Sequence, residues 1–206
     1  VLNGYFQIKL NQNVMYKHLK LTLFFLLVLI TVHGVQVFAQ QTYAVAPKPE
    51  MKVSGTSTIH DWDMVSEEAS GKASIRLSAG KVTAIQSVEI IMPVKSLKSG
   101  KGPMDKNAYN ALKEADHPEI TFKMLEAHQD GGSDWKVSGR LQIAGETQTV
   151  PFMVQFSRED EGISLTGSAD VKLTDFKVDP PTAVFGTIKT GDEMTISVKM
   201  KLNPIN

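Results

Sequence analysis

Hydrophobic and polar residues alternate with a two-residue period over most of the chain. In residues 193–202 one face carries Met194, Ile196, Val198, Met200 and Leu202, and the other Glu193, Thr195, Ser197, Lys199 and Lys201. Residues 162–174 repeat the pattern, with Ile163, Leu165, Gly167, Ala169, Val171 and Leu173 on the apolar side. Alternation this clean marks antiparallel strands with one buried and one wet face. The same reading places strands at 51–60, 69–78, 81–97, 120–129, 135–144 and 147–157, which makes eight in all. Ala79-Gly80, residues 130–133, Gly145-Glu146 and residues 159–162 supply turns. No repeat, linker or low-complexity tract divides the pattern, so it describes one domain.

One segment breaks the period. Residues 103–115 have helix-forming composition and place Met104, Ala108, Ala111, Leu112 and Ala115 on a single helical face. Asp105 suits the helix start, and His117-Pro118 stops it. A short helix between long strands predicts a cap over one open end of the sheet, either a packed connector or a gate.

Eight antiparallel strands with apolar inward faces predict an all-β fold in which the sheet closes into a barrel. Closure removes the edges, and eight strands leave an interior that side chains just fill or that holds one small ligand. The inward faces include Gly71, Ala73, Ala84, Gly139, Gly167 and Ala169. A sealed core would favour larger residues there, so these positions predict a tube with an apolar occupant. The alternative is that larger neighbours fill the gaps. The expected wall is Phe122, Met124, Leu141, Ile143, Phe152, Val154, Phe156, Leu165, Gly167, Ala169 and Val171. Trp62, Met104, Tyr109, Leu112, Phe176 and Phe185 are expected at the lid and mouth.

Residues 173–193 form an unusually long connection in this evenly punctuated chain. Connections of this length in compact domains are functional or disordered, and Phe176, Val178, Val184, Phe185 and Ile188 argue against disorder. Pro180-Pro181 stiffens the return, and Phe185-Gly186 would allow a tight approach. The expectation is a structural lid that buries Phe176 and Phe185, ordered by Asp175 or by the amides near Gly186 and Thr187.

Charge and composition narrow the picture. A basic stretch at residues 15–20 precedes an almost wholly apolar run at 21–32, and Val37-Phe38-Ala39 has the small residues that precede a signal-peptidase cut. This predicts a cleaved leader over about residues 15–39, preceded by residues upstream of the true start, and a mature domain from 40 to 206 outside the cytoplasm. There is no cysteine, which removes disulfides and thiolate chemistry. The mature chain carries 19 basic against 22 acidic residues, with no Lys/Arg run interleaved with aromatics, so nucleic acid is not an expected partner.

Candidate chemistry is sparse. His60-Asp61-Trp62-Asp63 combines an imidazole, two carboxylates and an indole. The mature chain has only His60, His117 and His128, without metal-ligand spacing, so no metal is expected. The plainer reading has Asp61 and Asp63 shape a turn while Trp62 plugs the barrel end. No phosphate loop or nucleophile elbow occurs.

The stretches "VSGTSTIHDW", "MDKNAYNALKEADHPEITF", "GRLQIAGETQTVPF" and "LTDFKVDPPTAVFGTIKTGDEMTI" occur in that order. Together they resemble the YceI-like family, which is polyisoprenoid-binding and lipocalin-like, over about residues 52–202. The resemblance implies an extended eight-stranded barrel around a long apolar tunnel that holds an isoprenoid-like or fatty amphiphile. A twelve-residue strand is roughly 40 Å long, enough for such a chain. It implies no catalytic set and no cofactor beyond the lipid. The expected function is to sequester or carry that lipid, and transient membrane contact and homodimerisation stay open. The alternatives are a barrel enzyme on a lipid or quinone precursor, with His60 or Asp61 as acid or base, and a stress-response interaction protein with a filled core.

Overall fold

A computed structural model describes residues 40–159 and 162–205, together with Lys17. The leader expected at 15–39 and its cleavage site at Ala39 otherwise lie outside the described residues. Phe38–Asn206 form one compact unit.

The eight alternating segments become eight staves of a closed antiparallel barrel. Two of them are broken strands. β1 (Gln41–Val45) and β2 (Glu50–Ser57) run along the same side of β11 (Ile188–Ile205), with Val45 opposite Leu202 and Glu50 opposite Lys199. The break holds Pro47 and Pro49, which have no amide to donate, and Lys48 at φ 61°. β3 (Trp62–Ser66) and β4 (Ser70–Ser78) form the second broken stave, pairing with β2 and β1 respectively. The other staves follow in sequence order. They are β5 (Lys81–Pro93), β6 (Glu119–Gln129), β7 (Asp134–Ile143), β8 (Glu146–Glu159) and β9 (Gly162–Lys172). Each pairs with the next, and β11 closes the ring by pairing with β9 on one side and with β1 and β2 on the other.

Several boundaries differ from those the pattern predicts. The first stave starts at Gln41 rather than 51 and the second at Trp62 rather than 69. β5 stops at Pro93 and passes into a 3-10 turn, Val94–Ser96, whose exit pairs with the edge of β3 through Val65 and Lys98. β11 starts at Ile188, five residues before the expected 193, and absorbs a register shift between Thr190 and Met194. The helix α1 (Gly102–Ala111) is shorter than expected because Lys113 turns left-handed at φ 54°.

The base of the barrel is solid. Tyr43, Ile75, Ile85, Trp135 and Ile163 are buried there, and the Trp135 and Phe156 rings meet edge to face at 6.5 Å. Burial pushes the Tyr43 phenol above its usual range, and the nearby Arg158 charge partly offsets this.

Candidate functional site: an apolar cavity under a polar rim

Above the plug the barrel is hollow. The cavity is about 490 Å³, within the range of ligand-binding pockets. Its wall is built from alternate residues of the staves, among them Met51, Val53, Val88, Ile90, Met92, Ile196, Val198 and Met200. α1 lies over it. Met104, Ala108, Ala111 and Leu112 line the cavity, and no helix residue is buried, because the apolar face of α1 looks onto open space.

Polar groups gather at the mouth. Ser57, His60, Lys101, Asn107, Thr182 and Thr190 belong to the lining, whereas the deep wall is aliphatic and aromatic. The charged or titratable lining residues are Lys52, His60 and Lys101, and no carboxylate is among them. Lys52 stands between Met51 and Val53 on β2, so alternation sends its ammonium to the outer face. A long chain with a small polar head fits this arrangement, chain inward and head at the rim.

Seven of the eleven expected wall residues line the cavity: Phe122, Leu141, Ile143, Phe152, Val154, Phe156 and Leu165. Met124, Gly167, Ala169 and Val171 do not. Met124 lies opposite Gly139 just before a bulge in β6, packed against the core. Val154 and Val198 close over Gly167, where a Cβ would sit 3.0 Å from a Val154 methyl and 3.4 Å from one of Val198. Ala169 and Val171 are buried without reaching the open space. The small inward residues therefore do not make the hollow. Of the six, only Ala73 lines it. Gly139 is small because the Phe122 ring lies over it, and Gly71 because the Glu89 carbonyl and Ile90 crowd it.

The mouth residues divide in the same way. Trp62, Met104 and Leu112 line the cavity. Trp62 donates from Nε1 to the Thr56 carbonyl at 2.9 Å, and its ring covers Gly55, where a side chain would collide with it. Tyr109 is a strut instead. Its hydroxyl donates to Leu97 O at 2.7 Å, with Lys95 O at 3.0 Å, and accepts from Lys98 Nζ at 2.8 Å. That hydrogen bond raises the Lys98 pKa above its ordinary value.

The long connection is ordered, but as a lid it departs from expectation. Phe176 is buried in a 3-10 turn, Thr174–Phe176, away from the cavity lining. Phe185 is 109% exposed rather than buried. It sits at the tip of a hairpin between β10 (Thr182–Ala183) and β11, where the turn sends it to solvent. A Cβ added at Gly186 would meet nothing within 4 Å, so no tight approach requires glycine there. The tip is ordered by Gly186 N donating to Ala183 O and Thr187 N to Val184 O, both at 3.1 Å. The acid that ties the connection is Asp192, not Asp175. Thr174 donates to it from Oγ1 at 2.7 Å and from its backbone N at 2.9 Å, and these bonds hold the Asp192 carboxyl below its ordinary value.

Ser57, rather than Asp61 and Asp63, shapes the turn between β2 and β3. It donates to His60 O at 2.7 Å and accepts from the amides of Ile59 and His60. His60 Nδ1 lies 2.7 Å from Asp61 O. His117 packs its ring against Gly145, and His128 Nε2 lies 3.3 Å from Glu126 Oε2. Among the described residues no group of three or more His, Asp or Glu converges as a metal site would require.

A closed eight-stranded antiparallel barrel, plugged at one end and hollow at the other beneath a helix, is the architecture of lipocalin-like proteins. The YceI-like domain model matches residues 31–202, and the chain belongs to that family. No curated protein sequence matches it. Among solved structures it is similar to BcnA from Burkholderia cenocepacia, at 18% identity and TM-score 0.63, covering 75% of this chain and 96% of that one. It is also similar to a polyisoprenoid binding domain from Saccharophagus degradans, implicated in plant cell wall breakdown, at 10% identity and TM-score 0.60. There 81% of this chain and 100% of that one are covered. The YCEI protein of Campylobacter jejuni follows at 16% identity and TM-score 0.52, covering 68% and 82%.

Proposed function

We propose that the protein holds a long apolar chain, a polyisoprenoid or fatty amphiphile, in the barrel cavity and sequesters or carries it outside the cytoplasm without catalysing a reaction. The observation that carries this reading is the cavity itself: about 490 Å³, apolar in depth and polar only at the rim. Each methylene moved from water into such a wall contributes roughly 0.8 kcal/mol, so a long chain binds tightly with few polar contacts. The hollow weighs against the filled-core alternative. Of the two residues the enzyme alternative needs as acid or base, His60 is on the rim and Asp61 is not in the lining. Family membership and the polyisoprenoid binding domain among the structural neighbours support an isoprenoid, and the leader pattern supports export.

The test is a titration of delipidated protein with a long-chain prenol and a saturated fatty alcohol, read by displacement of an apolar dye. One-to-one binding that tightens with chain length is expected. Binding independent of chain length would contradict the reading.

A further inference from the structure

The rim of the mouth is knitted together by hydrogen bonds between three elements. Thr58 N donates to Lys189 O at 3.0 Å, and Lys189 N to Thr58 Oγ1 at 3.2 Å, so the β2–β3 turn is tied to the start of β11. β11 pairs there with β10, and Asn107 Nδ2 of α1 donates to Thr182 O at 3.1 Å. Two tips project from this rim. They expose Ile59, Val184 and Phe185 at 60, 62 and 109%. Ile59, Ala183 and Ile188 also line the cavity, so the apolar surface of the tips adjoins that of the interior.

The hairpin tip adopts a conformation that its residues disfavour. Val184 and Phe185 have φ of 49° and 56°, and Gly186 N closes the turn on Ala183 O. A turn with two positive φ values is the one Asn-Gly takes freely. A β-branched residue in the left-handed region is strained. A tip that only reversed the chain would hold Asn or Gly there. Here strain is accepted, and two apolar side chains are held in solvent beside a cavity mouth.

Size and charge decide the occupant. Three side chains on two narrow tips offer far less than the ~800 Å² per partner that a stable protein interface takes. The exposed charges on the segments that carry or tie these tips balance, three lysines (Lys101, Lys106 and Lys189) against three aspartates (Asp61, Asp63 and Asp179). A strongly charged partner is therefore not indicated. A bilayer needs no matching shape and accepts shallow apolar wedges at its interface. We propose that Ile59, Val184 and Phe185 insert into the interfacial region of a lipid bilayer and seat the cavity mouth on the membrane surface. This goes beyond the carrier reading, and its test reads vesicle binding and cavity binding separately.

The experiment compares the mature protein with V184N/F185N, since Asn accepts the left-handed region and the fold should be kept. Both are sedimented with phosphatidylcholine vesicles, and both are titrated with an apolar dye for the cavity. The wild type should partition onto vesicles at least about tenfold more than the double variant, with little change on adding phosphatidylglycerol or high salt. Dye binding and melting should be the same in both. In a separate F185W variant, emission should move to the blue on vesicles and be quenched by brominated lipid. Equal partitioning of wild type and variant, or no partitioning by either, would overturn the proposal. So would binding only to anionic vesicles that salt abolishes, since that is adsorption through charge. A variant that loses dye while its vesicle partitioning matches the wild type would make the tip a lid. A concentration-dependent dimer of the wild type, absent in the variant and without vesicle binding, would make the occupant a second copy. Either result excludes membrane insertion. Failure of the dye alone to bind either protein would count against the carrier reading and leave the docking result standing.

Discussion

Gly55 and Gly139 each sit beneath an aromatic ring, Trp62 and Phe122 respectively. In a sequence, a small residue on an inward face reads equally well as room for a ligand or as room for a neighbour. Here it is mostly the second. Phe185 gave the opposite error: an aromatic in a long connection reads as buried, and only the backbone of the tip shows that it faces out. Trp62, Met104 and Leu112 were legible because a turn and a helix face fixed where they point. Asp192 was hidden, because its partner Thr174 is eighteen residues away. Its bonds make a pH prediction. A carboxyl whose folded pKa is depressed contributes stability that is present above its unfolded value, near 3.8, and is lost as pH falls through the folded value. The hydrogen-exchange protection factors of residues 174–178, measured relative to intrinsic exchange at each pH, should therefore fall in strong acid ahead of those of the barrel staves, and should not change between pH 5 and 8. At Tyr109 the hydroxyl bonds to the 3-10 turn after β5. Tyr109→Phe should lower stability by about 1 kcal/mol in chemical denaturation, the usual net value of such a bond.

Among the elements, long staves were legible because alternation over ten or more residues outweighs local noise. β1 and β3 were not, being five residues each, and β1 is cut off from its continuation by two prolines. Yet β1 closes the lower seam between β4 and β11. Tyr43→Ala should remove the largest fully buried side chain, 1% exposed, and cost about 3–5 kcal/mol, as large aromatic-to-alanine changes in cores do. A loss under 1 kcal/mol would mean that the base is not a tight plug. α1 and the wall respond differently to added bulk. Ala169 is buried outside the open space, so Ala169→Phe overpacks the wall and should cost about 1–3 kcal/mol. Ala108 faces the cavity from α1. Ala108→Phe should keep the melting temperature and weaken ligand binding by about tenfold, or roughly 1.4 kcal/mol. If the two variants exchanged these phenotypes, the cavity would be wrongly placed.

At the scale of the molecule, the barrel is solid at its base and hollow under α1. The closed fold could be argued from alternation alone. The division into plug and hollow could not, because it depends on which large side chains meet across the interior. An apolar hollow loses dispersion contacts along its whole lining, and a ligand restores them. Ligand that binds only the folded state raises stability in proportion to the logarithm of its concentration over Kd. Delipidated protein should therefore melt below protein as purified. The most direct measurement is to extract the purified protein with organic solvent and weigh the extract by mass spectrometry, with Ala108→Phe treated in parallel. An isoprenoid or long-chain amphiphile should appear near one per protein and be depleted in the variant. An extract without any long-chain species, from a protein whose melting is unchanged by extraction and by added prenol, would contradict the account.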